Sequence, residues 1–244
     1  MSRQAFALFN LALIFGAFAI GMRAFSRSQP DLSGVRGSRL LGSRIRAWYF
    51  SNLLPFEKLA ARLGVKPIAI TYAQVVASVL TALAYAKGLV YSAGFLVLFT
   101  GTMDILDGKV ARRTNGDSRR GAFLDSVIDR YAEFFGYAGL LIFFRHGWQV
   151  WAVLLAILGG MMVSYTRARA EGLGLRCDVG LLQRPERFVL LGFGSIFSSI
   201  AAHAFGWHHF LLALTIALLA LLTNVTAVQR VVYTSRELEG ERDG

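Results

Sequence analysis

Residues 104–129 read DILDGKVARRTNGDSRRGAFLDSVID. Asp104 and Asp107 are spaced i, i+3; Asp125 and Asp129 are spaced i, i+4. On a helix, either spacing puts both carboxylates on one face. The runs on either side, 89–106 and 122–144, are apolar. Carboxylates at the edge of apolar runs are costly unless something cationic holds them. An all-oxygen ligand set favours a hard divalent ion, Mg²⁺ or Mn²⁺, and two carboxylate pairs suit two ions.

Working outward, the chain holds seven apolar stretches, at 5–22, 68–86, 89–106, 122–144, 148–166, 188–206 and 208–228. Each is close to the ~20 residues that a bilayer-spanning helix needs. No alternating strand pattern appears, and helices satisfy their own backbone in lipid. Hydrophobic residues make up 55% of the chain and charged ones 17%, with mean hydropathy +0.50. A soluble α/β domain is thereby excluded. The expectation is an all-α integral membrane protein. It has a six-transmembrane-helix core (67–234), an N-terminal hydrophobic helix (1–24), a basic interfacial segment with an amphipathic helix (25–66), and a polar C-terminal tail (235–244).

The net charge of +11 lies between the apolar runs and not on soluble faces, so nucleic acid is not an expected partner. Nine basic residues from Arg23 to Lys66 separate the first two runs. Lys109, Arg112, Arg113, Arg119 and Arg120 separate the third and fourth, and Arg167, Arg169, Arg176, Arg184 and Arg187 the fifth and sixth. The alternate loops hold only Lys87 and Arg145. The positive-inside rule then puts the aspartates and the C-terminus on the cytoplasmic side of the cell (inner) membrane. Run 5–22 reads as a retained helix: Arg3 is a weak charged start, the apolar length exceeds a signal peptide's core, and no small-x-small cleavage site follows. From Arg44 to Leu63, Trp48, Tyr49, Phe50, Leu53, Leu54 and Phe56 interleave with charge, as in a helix lying on the inner leaflet. The single cysteine, Cys177, allows no intrachain disulfide and no multi-thiolate zinc site.

The full pattern D-x2-D-G-x2-A-R-x8-G-x3-D-x3-D resembles the signature of the CDP-alcohol phosphotransferase family. Asp104, Asp107, Gly108, Ala111, Arg112, Gly121, Asp125 and Asp129 match all its fixed positions, and the likeness extends over roughly residues 60–232. The resemblance implies transfer of a phosphatidyl group from CDP-diacylglycerol to an alcohol, with release of CMP. It implies two Mg²⁺ or Mn²⁺ ions on Asp104, Asp107, Asp125 and Asp129, with Asp129 also the general base. Asp107, Gly108, Ala111, Arg112 and Gly121 would bind the nucleotide: the small residues let it approach the backbone, and Arg112 pairs with the pyrophosphate. It further implies contact with membrane lipid and a homodimer.

A second cluster bears on the acceptor. Ser164 to Glu171 ends the fifth run, and Gly180 to Arg187 opens the sixth, with Pro185 and Glu186 where a helix start favours them. This segment resembles the bacterial and archaeal branch that makes phosphatidylinositol phosphate or its archaeal counterpart. Arg167, Arg169, Arg187 and Arg230 then match that branch's acceptor-phosphate pocket, and the acceptor would be inositol phosphate. Positive-inside topology alone also predicts arginines here. A phosphatidylglycerophosphate synthase using glycerol 3-phosphate is the main alternative. A cation transporter, from another class, needs acidic residues that continue across the bilayer, and none lie near Lys87 or Arg145. Glu133, one turn beyond Asp129, is read as orienting Arg130 or a ligand water, or as a polar residue at a helix seam. His203, His208 and His209 read as part of an interfacial belt with Trp207.

Overall fold

The computed structural model describes residues 3–27, 42–114 and 118–240. The stretch 28–41 of the basic interfacial segment and residues 241–244 of the tail lie outside the described residues. Everything regular in the described residues is α-helix: α1 (Arg3–Arg27), α2 (Ser43–Arg62), α3 (Pro67–Ala86), α4 (Val90–Arg113), α5 (Arg119–Phe143), α6 (Gln149–Gly172), α7 (Arg184–Phe205) and α8 (Phe210–Gly240).

The boundaries follow from local chemistry. At the start of α5, Ser118 Oγ accepts from the Gly121 amide at 2.9 Å. The first turn of α7 holds Pro185, and a capping box joins Gln183 and Glu186, with the Gln183 amide donating to Glu186 Oε2 at 2.6 Å. Gly206 ends α7 at φ 72°, a conformation glycine adopts without strain. No glycine or proline interrupts the chain from 210 to 239. α8 therefore runs on to Gly240, through much of the expected tail, whose Arg236, Glu237 and Glu239 are all tolerated in a helix.

Five helices are long and apolar enough to cross a membrane: α3, α4, α6, α7 and α8. The sequence leads one to expect six such core spans. α5 has 25 residues, but Arg119, Arg120, Asp125, Asp129, Arg130 and Glu133 all fall within its stretch 119–133 and place it outside that group. α1 contributes a shorter apolar stretch, Phe9–Phe25. The core gathers Tyr85, Val90, Leu140, Val153, Leu212, Ile216 and Leu219, all essentially fully buried. Phe95, Phe99, Trp151, Leu158, Leu214 and Leu221 stay exposed. Large apolar side chains on the outer face of apolar helices are what lipid solvates and water does not.

α4 packs against α3 and α7, with α2 laid against it; α5 packs on α3, α6 on α8, and α1 on α7. Small residues permit the closest approaches. A Cβ on Gly94 of α4 would fall 2.7 Å from the Gly192 carbonyl oxygen of α7, and one on Gly139 of α5 would collide with the Ala82 backbone of α3. Helices in lipid associate through such tight backbone packing, because apolar burial alone offers little drive there.

Candidate active site

The four motif aspartates divide between two helices that both lean on α3. Asp104 and Asp107 lie on α4, and Asp125 and Asp129 on α5. Between them α3 presents Thr71, Gln74, Ser78 and Thr81, all buried. Their 3, 4, 3 spacing makes a single polar stripe along an apolar helix. Thr71 Oγ1 donates to Asp107 Oδ2 at 2.9 Å, and Gln74 Nε2 donates to Asp129 Oδ1 at 3.2 Å. A longer contact, 3.5 Å, joins Gln74 Nε2 to Asp104 Oδ1. Asp107 Oδ1 also accepts from the Gly108 amide at 2.6 Å. The Asp107 and Asp125 carboxylates lie within electrostatic range of each other across the two helices.

The cation that meets this group comes from a third helix. Arg184, the first residue of α7, donates from Nη1 to Asp104 Oδ1 at 2.8 Å, and the same nitrogen contacts Asp129 Oδ2. Its Nη2 donates to the Asp129 carbonyl at 2.6 Å. Lys109, Arg112, Arg113 and Arg130 are nearer in sequence, and they behave differently. Arg113 Nε donates to Glu57 Oε1 of α2 at 2.6 Å, with Lys109 3.9 Å from the other carboxylate oxygen. Arg130 donates to the Ser126 carbonyl and stands 3.9 Å from Asp129. Arg112 is exposed.

The motif's small residues differ in what holds them. A Cβ on Gly108 would meet only the Arg112 guanidinium, 3.5 Å away, an ordinary contact. Protein packing therefore does not require glycine there, whereas close approach of a ligand would. A Cβ on Gly121 would sit 3.0 Å from Ser118 Oγ and crowd the cap of α5, so this glycine has a structural use as well. Ala111 is half-buried.

The four arginines expected to hold the acceptor's phosphate are not equivalent. Arg187 is 3% exposed, and its Nε lies 2.8 Å from Glu133 Oε1. Glu133 thus faces Arg187 and not Arg130. The pair borders a cavity of about 20 Å³ shared with Ser78, Thr81 and Tyr137, room for roughly one water. Arg230 is 4% exposed and ties α8 to its neighbours, donating to the Val179 carbonyl at 2.9 Å and the Val163 carbonyl at 2.6 Å. Arg167 is half exposed, with Glu171 Oε1 at 2.8 Å and Asp178 Oδ1 at 3.5 Å. Arg230 lies within electrostatic range of both Arg167 and Arg187. Arg169 is exposed and has no side-chain partner among the described residues. Three of the four therefore converge, and Arg169 stands apart.

The donor set has the chemistry of a divalent-ion site. All four motif side chains offer carboxylate oxygen, and Asp125 Oδ1 is buried with no hydrogen-bond partner. Such an orphaned acceptor is what a bound cation would satisfy. Among the described residues no three acidic, histidine or cysteine side chains are grouped so that they could hold a metal ion; Arg184 engages Asp104 and Asp129 together.

Sequence reasoning missed Arg184, Gln74, Thr71 and Glu57. A signal for the α3 residues was present, since polar side chains recurring at helical spacing inside an apolar run seldom face lipid.

The chain resembles proteins of known activity. The chain is 38% identical over 149 residues to the phosphatidylinositol phosphate synthase of Mycobacteroides abscessus, covering 59% of this chain and 68% of that one. It is 35% identical over 163 residues to the archaetidylinositol phosphate synthase of Methanothermobacter thermautotrophicus, covering 64% and 75%. The crystal structure of Mycobacterium tuberculosis phosphatidylinositol phosphate synthase with CDP-DAG bound matches with TM-score 0.65 and 32% identity, over 74% of this chain and 92% of that one. A second structure of that enzyme is a complex with manganese and citrate. The profile described as CDP-alcohol phosphatidyltransferase matches residues 65–235, a span that holds the whole aspartate motif and the converging arginines, and the chain belongs to the CDP-alcohol phosphatidyltransferase family.

Proposed function

We propose that this protein transfers a phosphatidyl group from CDP-diacylglycerol to inositol phosphate, forming phosphatidylinositol phosphate and CMP. The observation that carries the reading is that Arg230, within α8, lies in electrostatic range of Arg167 near the end of α6 and of Arg187 at the start of α7, while Arg187 pairs with Glu133, one turn past Asp129 on α5. Clustered guanidinium groups suit a phosphate-bearing acceptor and are more than a plain alcohol requires.

In this reading Asp104, Asp107, Asp125 and Asp129 hold two Mg²⁺ or Mn²⁺ ions. Bound there, the ions would neutralise the charge that builds on the pyrophosphate as its bond to CMP breaks. Asp107, Gly108, Ala111, Arg112 and Gly121 line the nucleotide, with Gly108 allowing close approach to the α4 backbone. Asp129 takes the proton of the acceptor hydroxyl as its oxygen attacks the phosphatidyl phosphorus and the P–O bond to CMP breaks. The Glu133 carboxylate fixes Arg187 in place. The fork of Arg187 is left with a buried, unpartnered Nη1, a donor suited to an anion. Arg169, being exposed, makes the weakest claim among the four acceptor arginines.

The same reading places the protein in the cell (inner) membrane with α5 as the sixth core span, and with lipid around the apolar helices. The active site faces the cytoplasm, supported by the distribution of basic residues between the runs. A homodimer belongs to it through the family resemblance.

The test is CMP release by purified protein with Mg²⁺ and CDP-diacylglycerol, run in parallel with inositol phosphate and with glycerol 3-phosphate. Release with inositol phosphate alone is expected. Release with glycerol 3-phosphate alone would keep the chemistry and overturn the acceptor.

A further inference from the structure

Arg184 lies outside the aspartate motif, on a helix that carries none of its residues. Yet it makes three contacts at the motif's centre. Nη1 reaches Asp104 Oδ1 at 2.8 Å and touches Asp129 Oδ2, and Nη2 donates to the Asp129 carbonyl at 2.6 Å. Its side chain is 17% exposed, and its Nε is buried without a partner. The Phe188 ring one turn on lies 5.7 Å from the guanidinium carbon and backs it. Gln74 adds a donor to Asp129 Oδ1. Both carboxylate oxygens of Asp129 are therefore engaged by protein donors, while Asp125 Oδ1 has none. Asp107 too has both oxygens engaged, by Thr71 and the Gly108 amide, so Asp125 Oδ1 is the buried motif oxygen left without a donor.

We propose that Arg184 is a positioning residue that competes with divalent metal for Asp104 and Asp129. This rests on the reading of those aspartates as metal ligands. A guanidinium and a divalent ion compete for Asp104 Oδ1 and Asp129 Oδ2, because both cations draw on the same lone pairs and repel each other at that distance. Occupancy by metal therefore displaces Arg184. Arg184 opens α7, next to the Gln183–Glu186 capping box and ahead of Arg187, so its release frees the loop that leads into the acceptor side. Until then both carboxylate oxygens of Asp129 are occupied by protein donors. The pairing also carries a benefit, since the two buried carboxylates are not left uncompensated while metal is absent.

The experiment titrates full-length protein in detergent with Mn²⁺ by calorimetry, without substrate, comparing wild type with Arg184→Gln. Removing the competitor should tighten Mn²⁺ binding about tenfold, the scale of one lost charge-assisted contact. Equal or weaker binding by Arg184→Gln overturns the competition and leaves the metal reading intact. Absence of Mn²⁺ binding in both proteins overturns the metal reading and the competition with it. A second measurement needs no variant: phenylglyoxal modification of wild-type protein, mapped by peptide mass. Arg184 should react several-fold faster with saturating Mn²⁺ than without. An unchanged rate overturns the proposal even if Arg184→Gln fails to fold.

Discussion

Asp129 is the most heavily engaged of the motif side chains, meeting Gln74, Arg184 and, at 3.9 Å, Arg130. Its proposed work as a base depends on a charge that Asn lacks, while Asn preserves size and hydrogen bonding. Asp129→Asn should therefore lower turnover about 10²–10⁴-fold and keep metal-dependent nucleotide binding, read by CMP release and by CDP-analogue titration. Turnover within threefold of wild type would remove Asp129 as the base. Glu133 invites a different expectation. It pairs with an Arg187 that is 3% exposed, and deleting one partner of a buried pair leaves an uncompensated charge worth about 3–5 kcal/mol. Glu133→Ala should lower the melting temperature in detergent clearly, and Glu133→Gln should recover part of the loss. The contrast between these residues explains what could be read in advance. The aspartates were legible because their spacing is local and the apolar surroundings make them conspicuous. Arg184 was not, because choosing among the many cations from Lys109 to Arg187 requires knowing which helix end arrives over the site.

Among the elements, α3 matters to the site beyond its length. Its polar stripe orients Asp107 and Asp129, and its backbone sits against α5 at Ala82 and Gly139. Gly139→Ala would drive a methyl into the Ala82 backbone, and overpacking of this kind costs about 1–3 kcal/mol. The same displacement would stretch the 3.2 Å bond from Gln74 to Asp129. The expected result is a lower melting temperature together with reduced turnover; a variant with full turnover and stability would show that α3 and α5 can part without cost. α2 supports α4 in a similar way. Glu57 is 6% exposed and receives Arg113, and the Tyr49 hydroxyl is 2.6 Å from Thr102 Oγ1. The amphipathic character of α2 was plain from its sequence, but its buried acidic residue could be recognised only once α4 lay beside it. α5 shows the reverse limit. Its apolar second half suggested an ordinary span, and its charged first half is explained by the site it builds.

At the scale of the whole molecule, charge and function point to the same end of the bundle. The helix ends flanking the α4–α5 and α6–α7 connections carry most of the basic residues, the motif, Arg167 and Arg187, while the connections after α3 and α5 carry as cations only Lys87 and Arg145. The proposed orientation follows from that asymmetry by the positive-inside rule, and it needs α5 to cross despite its charged start. If α5 stayed on one side, the Lys87 and Arg145 connections would lie on opposite faces. This parity makes the arrangement testable with single introduced cysteines in a Cys177→Ser background. Cys177 is 1% exposed, and serine is the smallest change there. Lys87→Cys and Arg145→Cys, both at exposed positions, should react with a membrane-impermeant maleimide in intact cells. Arg236→Cys, exposed near the end of α8, should react only after permeabilisation. Opposite labelling of the Lys87 and Arg145 positions would mean that α5 does not span. Uniform reversal of all three would put the aspartates on the outer face, away from a cytoplasmic supply of CDP-linked lipid and phosphorylated acceptor, and would overturn the proposed function at its broadest level.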